Sequence, residues 1–239
     1  MRTYLLEAPV FSLHTGLKAA SAGVDRLELC ADFAEGGTTP SIGVFRVLQS
    51  LIQIPIFVMI RPRGGDFVYS EREIAAMIED IKLFDQEGAD GFVFGVQTPQ
   101  GGVDLISNKS LIKATKKPCT FHRAFDNMAN HDKALEEIIS LGFTRILSSG
   151  GFDTVTDGME NLLKWMKIAG DRIIIMPGGG SKPSHLETFK KVEHFKEIHA
   201  SCKKVSLSPE HYHNHLLKIS SSEGILDIDE EIVLKFKSV

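Results

Sequence analysis

Short, dense apolar runs recur along the chain, each introduced by a glycine and a brief polar turn. They read Gly23-Val24-Asp25-Arg26-Leu27-Glu28-Leu29-Cys30, Gly88-Ala89-Asp90-Gly91-Phe92-Val93-Phe94, Gly142-Phe143-Thr144-Arg145-Ile146-Leu147 and Gly170-Asp171-Arg172-Ile173-Ile174-Ile175-Met176. Glycine suits the left-handed position just past a helix, and runs of this density suit strands buried on both faces. The segments between them carry helical spacing. Ser70 and Glu73 form a capping box ahead of Ile74, Met77, Ile78 and Ile81. Ser12 and Asp132 are candidate N-caps for their own helices.

Eight strands are predicted, near 3–7, 26–30, 56–60, 91–95, 119–124, 145–149, 173–176 and 197–201. Their starts lie roughly 23 to 35 residues apart, the size of one β-α unit. Eight such units favour a single-domain α/β (β/α)8 TIM barrel over an open doubly wound sheet, which is the alternative arrangement of the same units. The barrel is assigned to residues 1–202. Residues 203–239 form a C-terminal tail packed on or extending from it, with His211, His213 and His215 and the acidic run Asp227-Ile228-Asp229-Glu230-Glu231.

The chain's 239 residues fit one such barrel, and a net charge of −4 argues against a general nucleic-acid or membrane-surface binder. No apolar stretch approaches the roughly 18 residues of a membrane span, and the first residues lack a signal-peptide pattern. Three scattered cysteines, Cys30, Cys119 and Cys202, do not make a disulfide framework and suit a reducing cytosol.

Chemistry in this fold sits at the carboxyl ends of the strands, and those ends are polar here. They offer Glu7, Glu28 with Cys30, Arg61 and Arg63, His122 with Asp126, and His199. Period-two alternation puts Arg26, Glu28 and Cys30 on one face, and Thr120 and His122 on another. If His122 faces the mouth, Arg123 leans outward unless the strand has already ended. Charges turned into a barrel must satisfy one another, as a Glu–Arg plug or as a functional cluster. Gly150 and Gly151 follow strand six, and Gly178, Gly179 and Gly180 follow strand seven, where N–H groups can meet an anion or merely make tight turns. A helix capped by Ser181 or Ser184 would add its positive end. No lysine falls at a predicted strand end, which disfavours Schiff-base chemistry.

Several motifs together resemble the CutC family: Arg26-Leu27-Glu28-Leu29-Cys30, the Glu35–Ser41 loop, Arg61-Pro62-Arg63-Gly64-Gly65-Asp66-Phe67, Phe121-His122-Arg123-Ala124-Phe125-Asp126, Met176-Pro177-Gly178-Gly179-Gly180 and His199-Ala200-Ser201. The resemblance spans about residues 3–202. It implies a cytosolic (β/α)8 barrel, usually oligomeric, linked to copper homeostasis. The family's copper proposal uses two cysteines, of which Cys30 matches one, while Pro9 stands where the other would be. Cys202 is a candidate replacement; Met59 and Met176 read as core packing, and Cys119 as structural.

Two functions therefore stand side by side. In one, Cys30 is the soft ligand of a copper ion. In the other, an isomerase- or lyase-type enzyme clamps a small phosphorylated or carboxylated molecule with Arg61 and Arg63, and Glu7, Glu28, His122, Asp126 and His199 move protons or hold a divalent ion. A pure scaffold would leave the polar mouth without a purpose.

Overall fold

The computed structural model describes residues 4–207 and 224–238. Eight parallel strands make a (β/α)8 barrel: β1 (Leu5–Val10), β2 (Arg26–Leu29), β3 (Ile56–Met59), β4 (Gly91–Phe94), β5 (Cys119–Phe121), β6 (Arg145–Ser148), β7 (Ile174–Pro177) and β8 (Glu197–His199). Ladders join them in sequence from β1 to β7, and β8 pairs with β1. Strands β7 and β8 lie side by side at the seam without a ladder. The helices α1 (Leu13–Ala22), α2 (Ile42–Leu51), α3 (Glu71–Gln86), α4 (Leu105–Lys113), α5 (His131–Leu141), α6 (Met159–Ala169) and α7 (Leu186–Phe189) follow β1 to β7.

Alternation along each strand sorts the core into two zones. Leu6, Ala8, Leu27 and Leu29 face outward into a large apolar cluster with the helices, where Phe45, Phe84 and Trp165 are buried. Glu7, Pro9, Arg26 and Glu28 face inward. Capping follows the sequence at Ser12 and at the Ser70–Glu73 box. At α5 the cap is Asn130 instead of Asp132: the Asn130 side-chain Oδ1 accepts from Lys133 N–H at 3.0 Å. Asp132 instead accepts from the Lys164 amine and the Trp165 indole of α6.

Strand β1 runs to Val10, three residues beyond its predicted end, and carries a proline inside it. The Glu7 carbonyl accepts from Ala200 N–H, so residues of that parity hydrogen-bond toward β8. The β8 ladder ends at Glu7, so Pro9 sits where no β8 acceptor needs its missing N–H. Glu7 is therefore mid-strand and fully buried rather than at the rim.

Past residue 202 the chain does more than trail from the barrel. Strand β9 (Lys203–Ser206) pairs antiparallel with β10 (Ile225–Ile228), and α8 (Glu230–Ser238) packs on α1 in the place of the eighth outer helix. Val233 and Phe236 are buried there, Tyr4 donates to the Phe236 carbonyl, and Lys237 reaches Asp25 at 3.0 Å. The acidic run is partly structural, since Asp227 accepts from Lys18 and Ser206. His211, His213 and His215 lie outside the described residues. Among the described residues no helix is long and apolar enough to cross a membrane.

The lower interior of the barrel is charged. Arg26 bridges Glu7 at 2.5 Å and also pairs with Glu197, which Arg145 meets from the other side at 3.1 Å. Both guanidiniums lie over the Phe57 ring, at 4.5 and 4.8 Å from its centre. Two arginines thus balance two carboxylates with little water present. Breaking such a set leaves buried charges uncompensated. Arg26→Ala is expected to lower the unfolding free energy by roughly 3–5 kcal/mol in urea denaturation, whereas the surface change Lys164→Ala should cost under about 1 kcal/mol. Equal, small losses for the two variants would show that the network does not hold the barrel together.

Candidate functional site

Above this charged layer the barrel opens into a cavity of about 490 Å³. Its floor and walls include Pro9, Glu28, Met59, Arg61, His122 and His199, with Phe11, Phe33, Phe67 and Leu147 as apolar sides. Inward parity on β2, β3 and β8 puts Glu28, Met59 and His199 there. His122 follows the inward parity of Thr120 just past β5, where a 3-10 turn, Arg123–Asn127, begins. That turn carries Arg123 onto the cavity wall rather than outward.

His199 links the cavity to the layer beneath. Its Nδ1 is 2.8 Å from Glu7, and its Nε2 is 3.8 Å from Glu28. Burial alone would raise the Glu7 carboxyl, but Arg26 and His199 together hold it down at about 2. Glu28 has no such cation: burial, with the Glu7 charge adding to it, lifts its carboxyl to about 7 against the opposing pull of His199. For His199, burial works against the charged form, yet the bond to Glu7 and the fields of both carboxylates raise it above the ordinary imidazole value. His122 behaves oppositely. Burial and the neighbouring Arg61 charge push it down to about 3, so it is neutral. Ala124 N–H donates to its Nδ1 at 3.3 Å, which leaves the proton on Nε2. Neither that Nε2 nor Glu28 Oε1 has a partner among the described residues, although both are buried.

Other predicted site residues stand elsewhere or are already engaged. Arg63 does not line the cavity; it turns away to Glu73 at 2.7 Å and Asp66 at 3.0 Å, beside the Tyr69 ring. Arg61 does line it, but its Nη atoms donate to the carbonyls of Glu35, Gly37 and Gly65, holding those loops rather than waiting as a free fork. It has no carboxylate partner among the described residues. Asp126 accepts from Arg123 Nε, from the Ser148 and Ser149 hydroxyls, and from the N–H groups of Ser149 and Gly151.

The loop after β6 therefore already cradles an anion, and that anion is Asp126. Gly150 donates to Ser148 Oγ, and a β-carbon on it would meet the Gly158 carbonyl at 2.2 Å. These two glycines serve loop closure. The loop after β7 differs: Gly178 donates to the Ser148 carbonyl, but the N–H groups of Gly179 and Gly180 meet no acceptor among the described residues, and both glycines line the cavity. Their φ angles of 102° and 72° require glycine. Neither Ser181 nor Ser184 caps a helix here; a three-residue 3-10 turn and the four-residue α7 follow.

Cys30 is buried close to Gly37, with Met59 on the same side, and burial pushes its thiol well above the usual value. Cys202 belongs to the outer apolar cluster, not to the cavity, so it does not replace a missing mouth thiol. Cys119, at the foot of β5, is buried in the same outer cluster.

Sequence reasoning missed Arg123, Lys203 and the layer of Arg145 and Glu197. The last two were legible in principle, as charged residues opening the apolar runs of β6 and β8. Lys203 lines the rim from the first position of β9, a strand the periodicity did not predict.

The unusual Glu28 value makes a stability prediction. Between the ordinary carboxyl value of 4.5 and about 7, the folded protein keeps a proton that the unfolded chain has lost. The stability from this group is complete below 4.5 and declines as pH rises through 7. Relative to wild type, Glu28→Gln should therefore gain stability from pH 4.5 to 8, by on the order of 3 kcal/mol. His122 is common to both proteins and drops out of the difference. A pH-independent difference in chemical denaturation would contradict the assignment.

The comparisons agree with this architecture. The model of the CutC family matches residues 4–204. The human copper homeostasis protein cutC homolog is 41% identical over 220 residues, covering 92% of this chain and 81% of that protein. A CutC family protein of Porphyromonas gingivalis is 45% identical over 185 residues, covering 77% and 75%. The crystal structure of a CutC protein from Streptococcus agalactiae superposes with a TM-score of 0.77 at 33% identity, covering 83% of this chain and 98% of that one. The chain belongs to the CutC family.

Proposed function

We propose that this protein serves copper homeostasis, the role for which its human and mouse relatives are named, and that it handles Cu(I) as cargo through Cys30. The observation that carries this reading is the buried Cys30 thiol with the Met59 side chain beside it under Gly37. Cys30 Sγ and Met59 Cε lie 3.2 and 3.5 Å from the point where a β-carbon on Gly37 would sit. Thiolate and thioether are the donors a soft monovalent copper ion prefers. Among the described residues no three His, Cys, Asp or Glu side chains converge into a metal cage. The arrangement thus suits a Cu(I) ion of low coordination number better than a hard divalent ion. Gly37 matters to this pair, because any side chain at φ 105° would be strained and would press on the thiol.

The raised thiol value sets the pH behaviour. The metal takes the thiolate, so each ion bound at Cys30 displaces a proton, and affinity climbs with pH until the thiol ionises. A Cu(I) competition titration of the reduced protein is expected to give one ion per chain, with affinity rising about tenfold per pH unit between pH 6 and 8. Cys30→Ser should abolish both the binding and its pH dependence. Binding that is unchanged in the variant would refute a copper role for this thiol.

A further inference from the structure

The cavity holds more polar chemistry than a sulfur-bound ion would use. Three buried atoms of cavity-lining residues, Glu28 Oε1, His122 Nε2 and Arg61 Nε, have no partner among the described residues. A buried polar group left unmatched costs about 1–3 kcal/mol, so several of them on one cavity call for something that matches them. Glu28 and His122, each only 3% exposed, stand on β2 and just past β5. His122 presents an N–H, and Glu28 a carboxyl that can donate or accept. Such a pair fits a carbonyl or hydroxyl oxygen.

Further donors line the cavity from the loops after β7 and β8. The N–H groups of Gly179 and Gly180 donate to no described acceptor, and the Ser201 hydroxyl likewise has no described partner. Arg123 packs beside Gly179, 3.0 Å from where its β-carbon would be. Asp126 fixes Arg123 through Nε, and Ser149 and two carbonyls take Nη2, which leaves Nη1 without a described partner. Lys203 makes no ion pair among the described residues and lies over the Phe33 ring at 4.6 Å. All of these donors line one cavity, and Arg61 adds a buried positive charge with no carboxylate of its own. The carboxylates on the cavity are Glu28, 3.8 Å from His199 Nε2, and Glu35, whose Oε2 already accepts from Gly65 N–H. The apolar part of the wall comes from Phe11, Phe33, Phe67, Met59 and Leu147. A volume near 490 Å³ is within the range of small-molecule sites.

We propose that this mouth binds a small phosphomonoester, with its phosphate on the Gly179 and Gly180 N–H groups beside Arg123, with Lys203 and Ser201 on the same cavity adding charge and a hydroxyl, and with a carbonyl or hydroxyl oxygen of its carbon portion meeting His122 or Glu28. Several converging N–H and cationic donors match a phosphate dianion better than a single carboxylate. The site adjoins the residues proposed for copper, since Met59 lines the cavity and the Cys30 thiol lies 3.9 Å from the Glu28 carbonyl, so copper-free protein is used for the test.

The test uses copper-free protein and three probes, glycerol 3-phosphate, inorganic phosphate and glycerol, followed by calorimetric titration. Glycerol 3-phosphate is expected to bind saturably, at least about tenfold more tightly than inorganic phosphate, with glycerol not binding below about 10 mM. Lys203→Glu, a change at an exposed position, should weaken both phosphate-bearing probes about tenfold or more. Glu28→Gln and His122→Phe should bring glycerol 3-phosphate toward inorganic phosphate while leaving inorganic phosphate unchanged. Cys30→Ser should leave all three probes unaffected. No saturable binding of either phosphate probe, or binding indifferent to Lys203→Glu, would overturn the proposal. Equal affinity of the two phosphate probes in wild type would overturn its second half, the role of Glu28 and His122.

Discussion

Burying ions inside a parallel barrel is tolerable only if every charge finds a counter-charge, and the order Glu7–Arg26–Glu197–Arg145 meets that condition. The rest of the structure depends on it. Four of the eight strands, β1, β2, β6 and β8, each contribute one member, so the network ties the two sides of the β7–β8 seam where backbone pairing is absent. Phe57 fills the space beneath the two guanidiniums and excludes water from them. With the two arginines matched by two carboxylates, His199 meets the network from above at Glu7 and passes the contact on to Glu28. Their proton affinities are set by what the lower layer has already neutralised.

That dependence explains why neighbouring carboxylates on adjacent strands differ so much. Glu7 and Glu28 are both nearly sealed from solvent, yet one carboxyl lies at about 2 and the other at about 7. The difference is the Arg26 guanidinium at contact distance together with the His199 hydrogen bond, both on Glu7. His199 stands between the two carboxylates and His122 stands beside a cation, so two imidazoles on one cavity have opposite charge preferences. The cavity thus carries one imidazole that favours its neutral form, one that favours its charged form, and a carboxyl that keeps its proton nearer to neutral pH than an ordinary one does.

Much of this was readable in the chain, and the reasons for the remainder are physical. Period-two alternation carried Glu28, His122 and His199 to the mouth, because which face a strand residue takes follows from local geometry alone. The helix caps at Ser12 and Ser70 were equally local. What alternation does not encode is whether a donor is already engaged. Arg63 and Asp126 sit in the right motifs but meet partners three to ten residues away or across a loop, and the glycine pair after β6 is filled by the protein's own carboxylate. Pro9 made β1 look three residues shorter than it is, since a proline interrupts a strand pattern even where no acceptor faces it. Lys203 was invisible as a rim residue because β9 is exposed and lacks the buried-strand signature that marked the other eight.

The clasp between α8 and α1 has a consequence in time rather than in space. Strand β1 needs β8 on one edge, and α1 needs α8 across its outer face, with Lys237 reaching back to Asp25 and Phe236 meeting Tyr4. These contacts join the two ends of the chain across roughly 190 to 230 residues, and contacts of that kind form slowly. A chain emerging from the ribosome can therefore build most of its β-α units in order, but its first strand and first helix stay half-covered until residues beyond 230 have left the tunnel. For that interval the nascent barrel carries an open strand edge and an uncovered apolar helix face, the two features that nascent-chain chaperones recognise and that misassembly exploits.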